Sequence, residues 1–346
     1  MLFKILAKKE FRSLVEIILE SNEIIAPKVI ATNAQGEPIH QFLPIDSFDQ
    51  MDLDYRTTEY SAKTYFLPYR ENLCTFHFDA EDWEQEIAYR IQPRAIIGLR
   101  AHDINALLKL DKVFIRGRFP SPYYISRRKN TFIVGVDHAP LEDEFSRSMG
   151  AHIVTHGFDL FLTDLGDRYF VAIDSDRAFN LLQQVQTRDV IDEDTRAYLE
   201  VRRQIREGFK THISVHSLPN LLDLEFTSAV WKEWGQKCLN CGSCAMVCPT
   251  CYCYGVVEEV TMDFKQATKI KQLYSCNLLD FAQVAGGHNF RPDPGTRLKY
   301  RYYHQYRGFL EDYGEPMCVG CNRCGRVCLA GINPAAVIKD LYKETL

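Results

Sequence analysis

With 346 residues, 46% of them hydrophobic and 25% charged, and a formal net charge of −5, the chain has the composition of a globular protein and lacks the basic footprint of a nucleic-acid binder. No apolar run approaches the roughly 18 residues of a spanning helix. Residues 1–25 interleave Lys8, Lys9, Glu10 and Arg12 with apolar positions instead of forming a signal-peptide core, so a cytoplasmic protein is expected.

In chain order, Phe11, Leu14, Ile17 and Ile18 recur at helical spacing and predict a helix over 9–22, followed by a strand over 23–30. Further β-rich runs predict strands over 94–99, 131–137, 159–163 and 169–173, with a helix over 102–110 that Asp103 is placed to cap. The alternation implies a mixed sheet with covering helices. Residues 189–210 are charged and helical in period, and 212–220 read as a connection, which puts a domain boundary near 210–222. The expected fold class is therefore α+β, with a mixed α/β domain over 1–215 and a second, cysteine-rich domain over 222–346. Helices are expected there over 296–306, which is rich in Arg and Tyr, and over 334–342.

Only Cys74 lies before residue 238; the other eleven of the twelve cysteines fall between Cys238 and Cys328. A secreted disulfide framework comes with a small domain and a signal sequence, so thiolate–metal chemistry in a reducing compartment is the better account. Cys238, Cys241, Cys244 and Cys248 form one C-x2-C-x2-C-x3-C run, and Cys318, Cys321, Cys324 and Cys328 form another. Three thiolates two residues apart wrap one [4Fe-4S] cube, while the fourth, expected to start a helix, reaches the neighbouring cube. Two clusters with crossed ligation follow: Cys238, Cys241, Cys244 and Cys328 around one, and Cys318, Cys321, Cys324 and Cys248 around the other. A structural zinc site needs only four thiolates and fits two successive runs of four poorly. The roughly seventy residues between the runs favour a helical ferredoxin arrangement over a short pseudo-symmetric β linker.

Arg323, Arg326 and Lys237 are candidate cations beside the clusters, each equally readable as a solvated surface charge. Gly242, Gly320 and Gly325 are candidates for close approach of backbone to sulfide. Cys251, Cys253 and Cys276 lie outside the two runs. With His288 they could form a further metal site, although buried free cysteines are common in apolar shells. His102, His138, His152 and His156 are scattered through the cysteine-poor half and read first as satisfied histidines, second as a metal site. No G-x-G-x-x-G after a strand and no Walker A sequence occurs, so a dinucleotide is not expected on this chain.

The blocks RAIIGLRAHDINALLKLD (94–111), PYYISRRKNTFIVGV (122–136) and GFDLFLTDLGDRYFV (157–171), with C-P-T-C-Y-C-Y, A-G-G-H-N-F-R-P and the last cysteine run, resemble the family that holds the iron-sulfur β subunit of cytoplasmic sulfhydrogenases and the iron-sulfur subunit of anaerobic sulfite reductase. The resemblance covers nearly the whole chain. It implies a non-catalytic electron conduit in a hetero-oligomer, placed between a catalytic reductase or hydrogenase subunit and a flavin-containing, diaphorase-like one. Where that family tends to carry Arg-x-Cys-Asp this chain has Arg100-Ala101-His102-Asp103, and no cysteine occurs between Val136 and Met149. A metal-free N-terminal domain used for docking is therefore expected. The alternatives are a catalytic thiol or sulfur reductase using Cys251, Cys253 and Cys276, and a scaffold whose clusters serve only as folding staples.

Overall fold

A computed structural model describes residues 2–78, 82–87 and 92–345. The chain opens with β1 (Leu2–Ala7), α1 (Lys8–Leu19), β2 (Glu23–Thr32) and β3 (Pro38–Ile45), then β4 (Arg70–Phe78) and β5 (Trp83–Ile87). Next come β6 (Arg94–Leu99), α2 (Ala101–Phe114), α3 (Pro122–Lys129), β7 (Thr131–Val136), β8 (Leu160–Asp164), β9 (Arg168–Ile173), α4 (Asp176–Leu182), β10 (Thr187–Arg188) and α5 (Asp192–Gly208). Eight strands form one sheet in the order β10-β1-β9-β8-β7-β6-β2-β3. Its middle, β2, β6, β7 and β8, is parallel.

Central strands β6 and β7 are almost unbroken apolar runs because both faces of the sheet are covered. On one face pack Phe11, Leu14, Val15 and Ile18 of α1 with Ala178 and Leu182 of α4. On the other lie Ile104, Leu107 and Leu110 of α2, Tyr124 of α3, and Phe309 and Met317 from far downstream. Serines cap α3 and α4, Ser121 accepting from the N–H of Tyr124 and Ser175 from that of Ala178. The expected cap of α2 is corrected: Arg100 occupies the N-cap position, and Asp103 sits buried in the first turn, paired with Arg323.

The C-terminal third is built on α6 (Leu218–Leu224), α7 (Val230–Lys237), α8 (Ser243–Met246), β11 (Tyr254–Val260), β12 (Gln266–Leu273), α9 (Pro294–Tyr303), α10 (Phe309–Tyr313), α11 (Arg323–Arg326) and α12 (Pro334–Thr345). The mixed α+β class stands, but the segment between the cysteine runs is not wholly helical. It contributes a hairpin, and the second sheet, β11-β12-β4-β5, joins that hairpin to β4 and β5 from the first half. Hydrogen bonding thus crosses the boundary expected at 210–222. The buried pair Glu71–Lys271 at 2.9 Å fastens the same junction. Among the described residues no helix is long and apolar enough to cross a membrane.

Candidate metal centre

The two cysteine runs fold alike for a local reason. Each needs left-handed backbone at two positions, the second residue after its first cysteine and the residue after its second cysteine. Asn240 (φ 54°) and Gly242 (φ 78°) supply it in one run, Gly320 (φ 70°) and Asn322 (φ 54°) in the other. Gly and Asn are the residues that tolerate this region best. Each run then enters one short helix, α8 or α11, and its fourth cysteine follows that helix, which corrects the expectation that it starts one. At Gly320 a side chain would also meet the carbonyl oxygen of Phe145 at 2.6 Å.

The loops and helices enclose two recesses. Cys238, Cys241, Cys244 and Cys328 line the first, beneath Leu239, Leu298 and Leu329. Cys248, Cys318, Cys321 and Cys324 line the second, against Phe145, Val319 and Tyr306. Each recess therefore gathers three cysteines of one run and the fourth of the other; Cys324 also reaches the first recess, and Arg301, Tyr302 and Pro334 line both. All twelve cysteines are free thiols. The recesses differ in depth: Cys241 is exposed, whereas Cys248 and Cys321 are buried.

Cysteine sulfurs line both recesses, and the residues fit an iron-sulfur cluster by donor chemistry. Burial pushes the Cys318 thiol up to about 12 and raises Cys324 as well, the latter against the opposing charge of Arg301. Donors already point at them. Asn277 Nδ2 lies 3.1 Å from Cys244 Sγ, the Gly320 N–H 3.3 Å and the Tyr306 hydroxyl 3.4 Å from Cys318 Sγ, and Thr250 Oγ1 3.3 Å from Cys248 Sγ. Such contacts stabilise charge on ligand sulfur. Arg301 is the shared cation: burial opposes its charge, but Cys244, Cys251 and Cys324 outweigh that and hold it well above its usual range. It donates to Cys251 Sγ and to the carbonyl oxygen of Cys244, both at 3.1 Å.

Of the three cations singled out in the sequence, Arg323 lies beside Cys321 and opposes the rise that burial imposes on its thiol, though it does not span both recesses as Arg301 does. Arg323 pairs with Asp103 at 2.6 Å, Arg326 with Asp143 at 2.7 Å, and the Lys237 ammonium lies 4.2 Å from the Trp234 ring centroid. Arg301 was missed, although Arg297, Arg301 and Gln305 repeat every four residues and so line one face of an otherwise Tyr-rich helix. Lys63, whose Nζ donates to the carbonyl oxygen of Cys251 at 2.9 Å, comes from 188 residues upstream and left no local signal.

The extra cysteines separate. Cys251 is buried, its sulfur hydrogen-bonded with Cys248, Arg301 and Gln305. Cys253 and Cys276 are hydrogen-bonded to each other, which with Arg301 and Arg291 lowers Cys253 to about 7, and both line a cavity of about 500 Å³ with Arg291, His304 and Arg307. His288 stands apart from that cavity, its ring 4.8 Å from Phe290, so the imagined Cys251–Cys253–Cys276–His288 set is not assembled. In the first half His102 and His138 meet, while His152 packs on Phe209 and His156 is hydrogen-bonded with the Thr155 hydroxyl.

Comparison with known proteins agrees with this geometry. Residues 237–332 match the family described as a 4Fe-4S dicluster domain. The chain is 34% identical over 304 residues, 87% of its own length and 89% of the relative's, to the sulfhydrogenase 2 subunit beta of Pyrococcus furiosus. No solved structure matches it. With that identity over almost its full length and the dicluster domain spanning both recesses, the chain belongs to the family of iron-sulfur sulfhydrogenase beta subunits.

Proposed function

We propose that this chain is the electron-transfer subunit of a cytoplasmic hetero-oligomer. In this reading it relays electrons through two [4Fe-4S] clusters between a flavin-containing diaphorase-like subunit, linked to NAD(P)H or ferredoxin, and a catalytic reductase or hydrogenase subunit. The observation that carries the reading is the pair of four-thiol recesses sharing one buried guanidinium. Cys238, Cys241, Cys244 and Cys328 would hold one cluster, and Cys318, Cys321, Cys324 and Cys248 the other. Bound there, the clusters would supply one-electron steps.

The chain's own residues set the conditions for those steps. Arg301 offsets negative charge in both recesses at once, and the donors from Asn277, Tyr306 and Gly320 act on single sulfurs. Phe145, Val319 and Tyr302 keep water from the inner recess. Leu239 and Leu329, 61% and 89% exposed, flank the outer one beside the exposed Cys241. Apolar side chains held in solvent next to a redox centre suit docking of a partner subunit, which makes the outer cluster the terminal that exchanges electrons. The N-terminal sheet, within residues 1–215, serves as a second docking surface. Anaerobically isolated protein should contain about eight iron and eight sulfide per chain, with two reversible couples on potentiometric titration. About four or twelve iron, or zinc in place of iron, contradicts the reading.

The paired thiols Cys253 and Cys276, facing a cavity with Arg291 and Arg307, favour a second reading in which they reduce a sulfur or disulfide substrate. Buried Cys251 is not placed for such a role. Cys253→Ser in the intact complex distinguishes the two: electron relay leaves turnover with a one-electron acceptor unchanged, whereas thiol catalysis loses only the sulfur-reducing activity.

A further inference from the structure

Behind the inner recess, the parallel sheet brings together side chains that the cluster chemistry does not use. Strands β6 and β7 lie side by side, and the chain leaving the carboxyl end of each delivers a histidine. His102 stands in the first turn of α2, three residues beyond Leu99, and His138 two residues beyond Val136. The loop after β7 turns back and sets Glu144 against both. His102 Nδ1 lies 3.2 Å from Glu144 Oε1, and His138 Nε2 lies 3.0 Å from Oε2. One nitrogen or oxygen from each of the three lies within 4.8 Å of the others. The imidazole centroids are 5.3 Å apart with the rings at 82°.

The group is enclosed: Glu144 is 1% and His102 6% exposed. Ser146 donates to Glu144 Oε1 at 2.6 Å, and the Leu141 N–H reaches Oε2 at 3.4 Å, so the carboxylate is held in place by donors of its own, as ligating carboxylates are. Arg100 and the Asp103–Arg323 pair are the charged neighbours. Two imidazoles and one carboxylate match the donor preference of Zn²⁺ and its first-row neighbours. The crevice outside the carboxyl ends of parallel strands is where open α/β sheets collect ligands.

We propose that His102, His138 and Glu144 bind one divalent transition-metal ion of the Zn²⁺ class, a mononuclear centre distinct from the thiol recesses. The ion pins the loop after β7 where it supports the inner recess: Asp143 takes Asn322 at 2.9 Å and Arg326 at 2.7 Å, and the Phe145 N–H donates to the carbonyl oxygen of Gly320 at 2.9 Å. This revises the expectation of a metal-free first half, and it does not depend on the electron-transfer reading.

The test uses the full-length protein with its clusters in place. Metal analysis and acid-labile sulfide are measured on one sample, because iron matched by sulfide belongs to clusters and metal in excess of sulfide does not. About one excess equivalent per chain is expected. It should disappear in Glu144→Gln and in His102→Asn with sulfide unchanged. After mild chelation the wild type should take up Co²⁺ to the same stoichiometry, with ligand-field bands lacking thiolate charge transfer. Should either variant fail to fold, this Co²⁺ titration of the wild type decides. No metal beyond sulfide-matched iron together with no saturable Co²⁺ uptake, or an excess ion that Glu144→Gln retains, overturns the proposal and leaves a hydrogen-bonded His–Glu–His network. An error in the number of clusters would change the sulfide count and leave this excess untouched.

Discussion

Strand β7 and the loop from Cys318 to Cys324 both run through the interior, the strand wholly buried and the loop with Cys318 and Cys324 only partly so, and their surroundings differ in kind. Every residue of β7 is buried among aliphatic and aromatic neighbours from both faces of the large sheet. The loop is enclosed by sulfurs, Arg301, Arg323 and left-handed Gly320 and Asn322. Burial of apolar area stabilises the first without help, at about 25 cal/mol per Å². In the second, polar and strained groups are gathered at a cost that a bound cluster would repay. A sheet can thus be read as its own reward, whereas the cysteine loops make sense only with what they hold.

The largest effect that would break this contrast is removal of the clusters. Iron chelation of the full-length protein should strip hydrogen-exchange protection from residues 237–332 while amides of β6 to β9 keep theirs, since only the former lean on the thiol recesses. Equal loss in both would show one cooperative unit. Next comes the contact between the two regions. Asp103 is held below the usual carboxylate range because Arg323 and then His102 outweigh the cost of its burial. Asp103→Asn would leave the Arg323 guanidinium buried without its counter-charge, at a cost of about 3–5 kcal/mol. Denaturant or thermal unfolding measures it, and a loss under about 1 kcal/mol would mean the pair is solvated.

A smaller effect sharpens the electrostatic half of the contrast. Arg301→Gln withdraws positive charge from both recesses, which disfavours the reduced, more negative state. Both cluster potentials should fall by on the order of tens of millivolts. A shift of one couple alone would show that the guanidinium serves a single centre.

Legibility in the sequence followed the same division. The strands β6, β7 and β9 stood out because two-sided burial writes uninterrupted apolar runs. The eight cysteines that line the two recesses stood out by their rhythm, because a thiolate loop around a cube has few possible spacings. Strands β5 and β11 escaped notice because they are half-polar ribbons: Trp83–Ile87 is exposed throughout, and Tyr254–Val260 carries Glu258 and Glu259. Their sheet also depends on pairing as distant as Thr75 with Thr268, 193 residues away, and no local pattern encodes that. His102 and His138 looked scattered, and Glu144 drew no notice, for a similar reason. Their meeting follows from two parallel strands lying side by side, and sequence spacing says nothing of strand order.

The central claim is the crossed assignment of the fourth cysteines, and electron paramagnetic resonance during a redox titration of Cys328→Ala and Cys248→Ala tests it most directly. With the wild type giving two couples, Cys328→Ala should abolish or transform the signal of the cluster held by Cys238, Cys241 and Cys244 and preserve the other, and Cys248→Ala should do the reverse. If Cys328→Ala instead disturbs only the cluster of Cys318, Cys321 and Cys324, each run serves its own centre and the crossed account is contradicted.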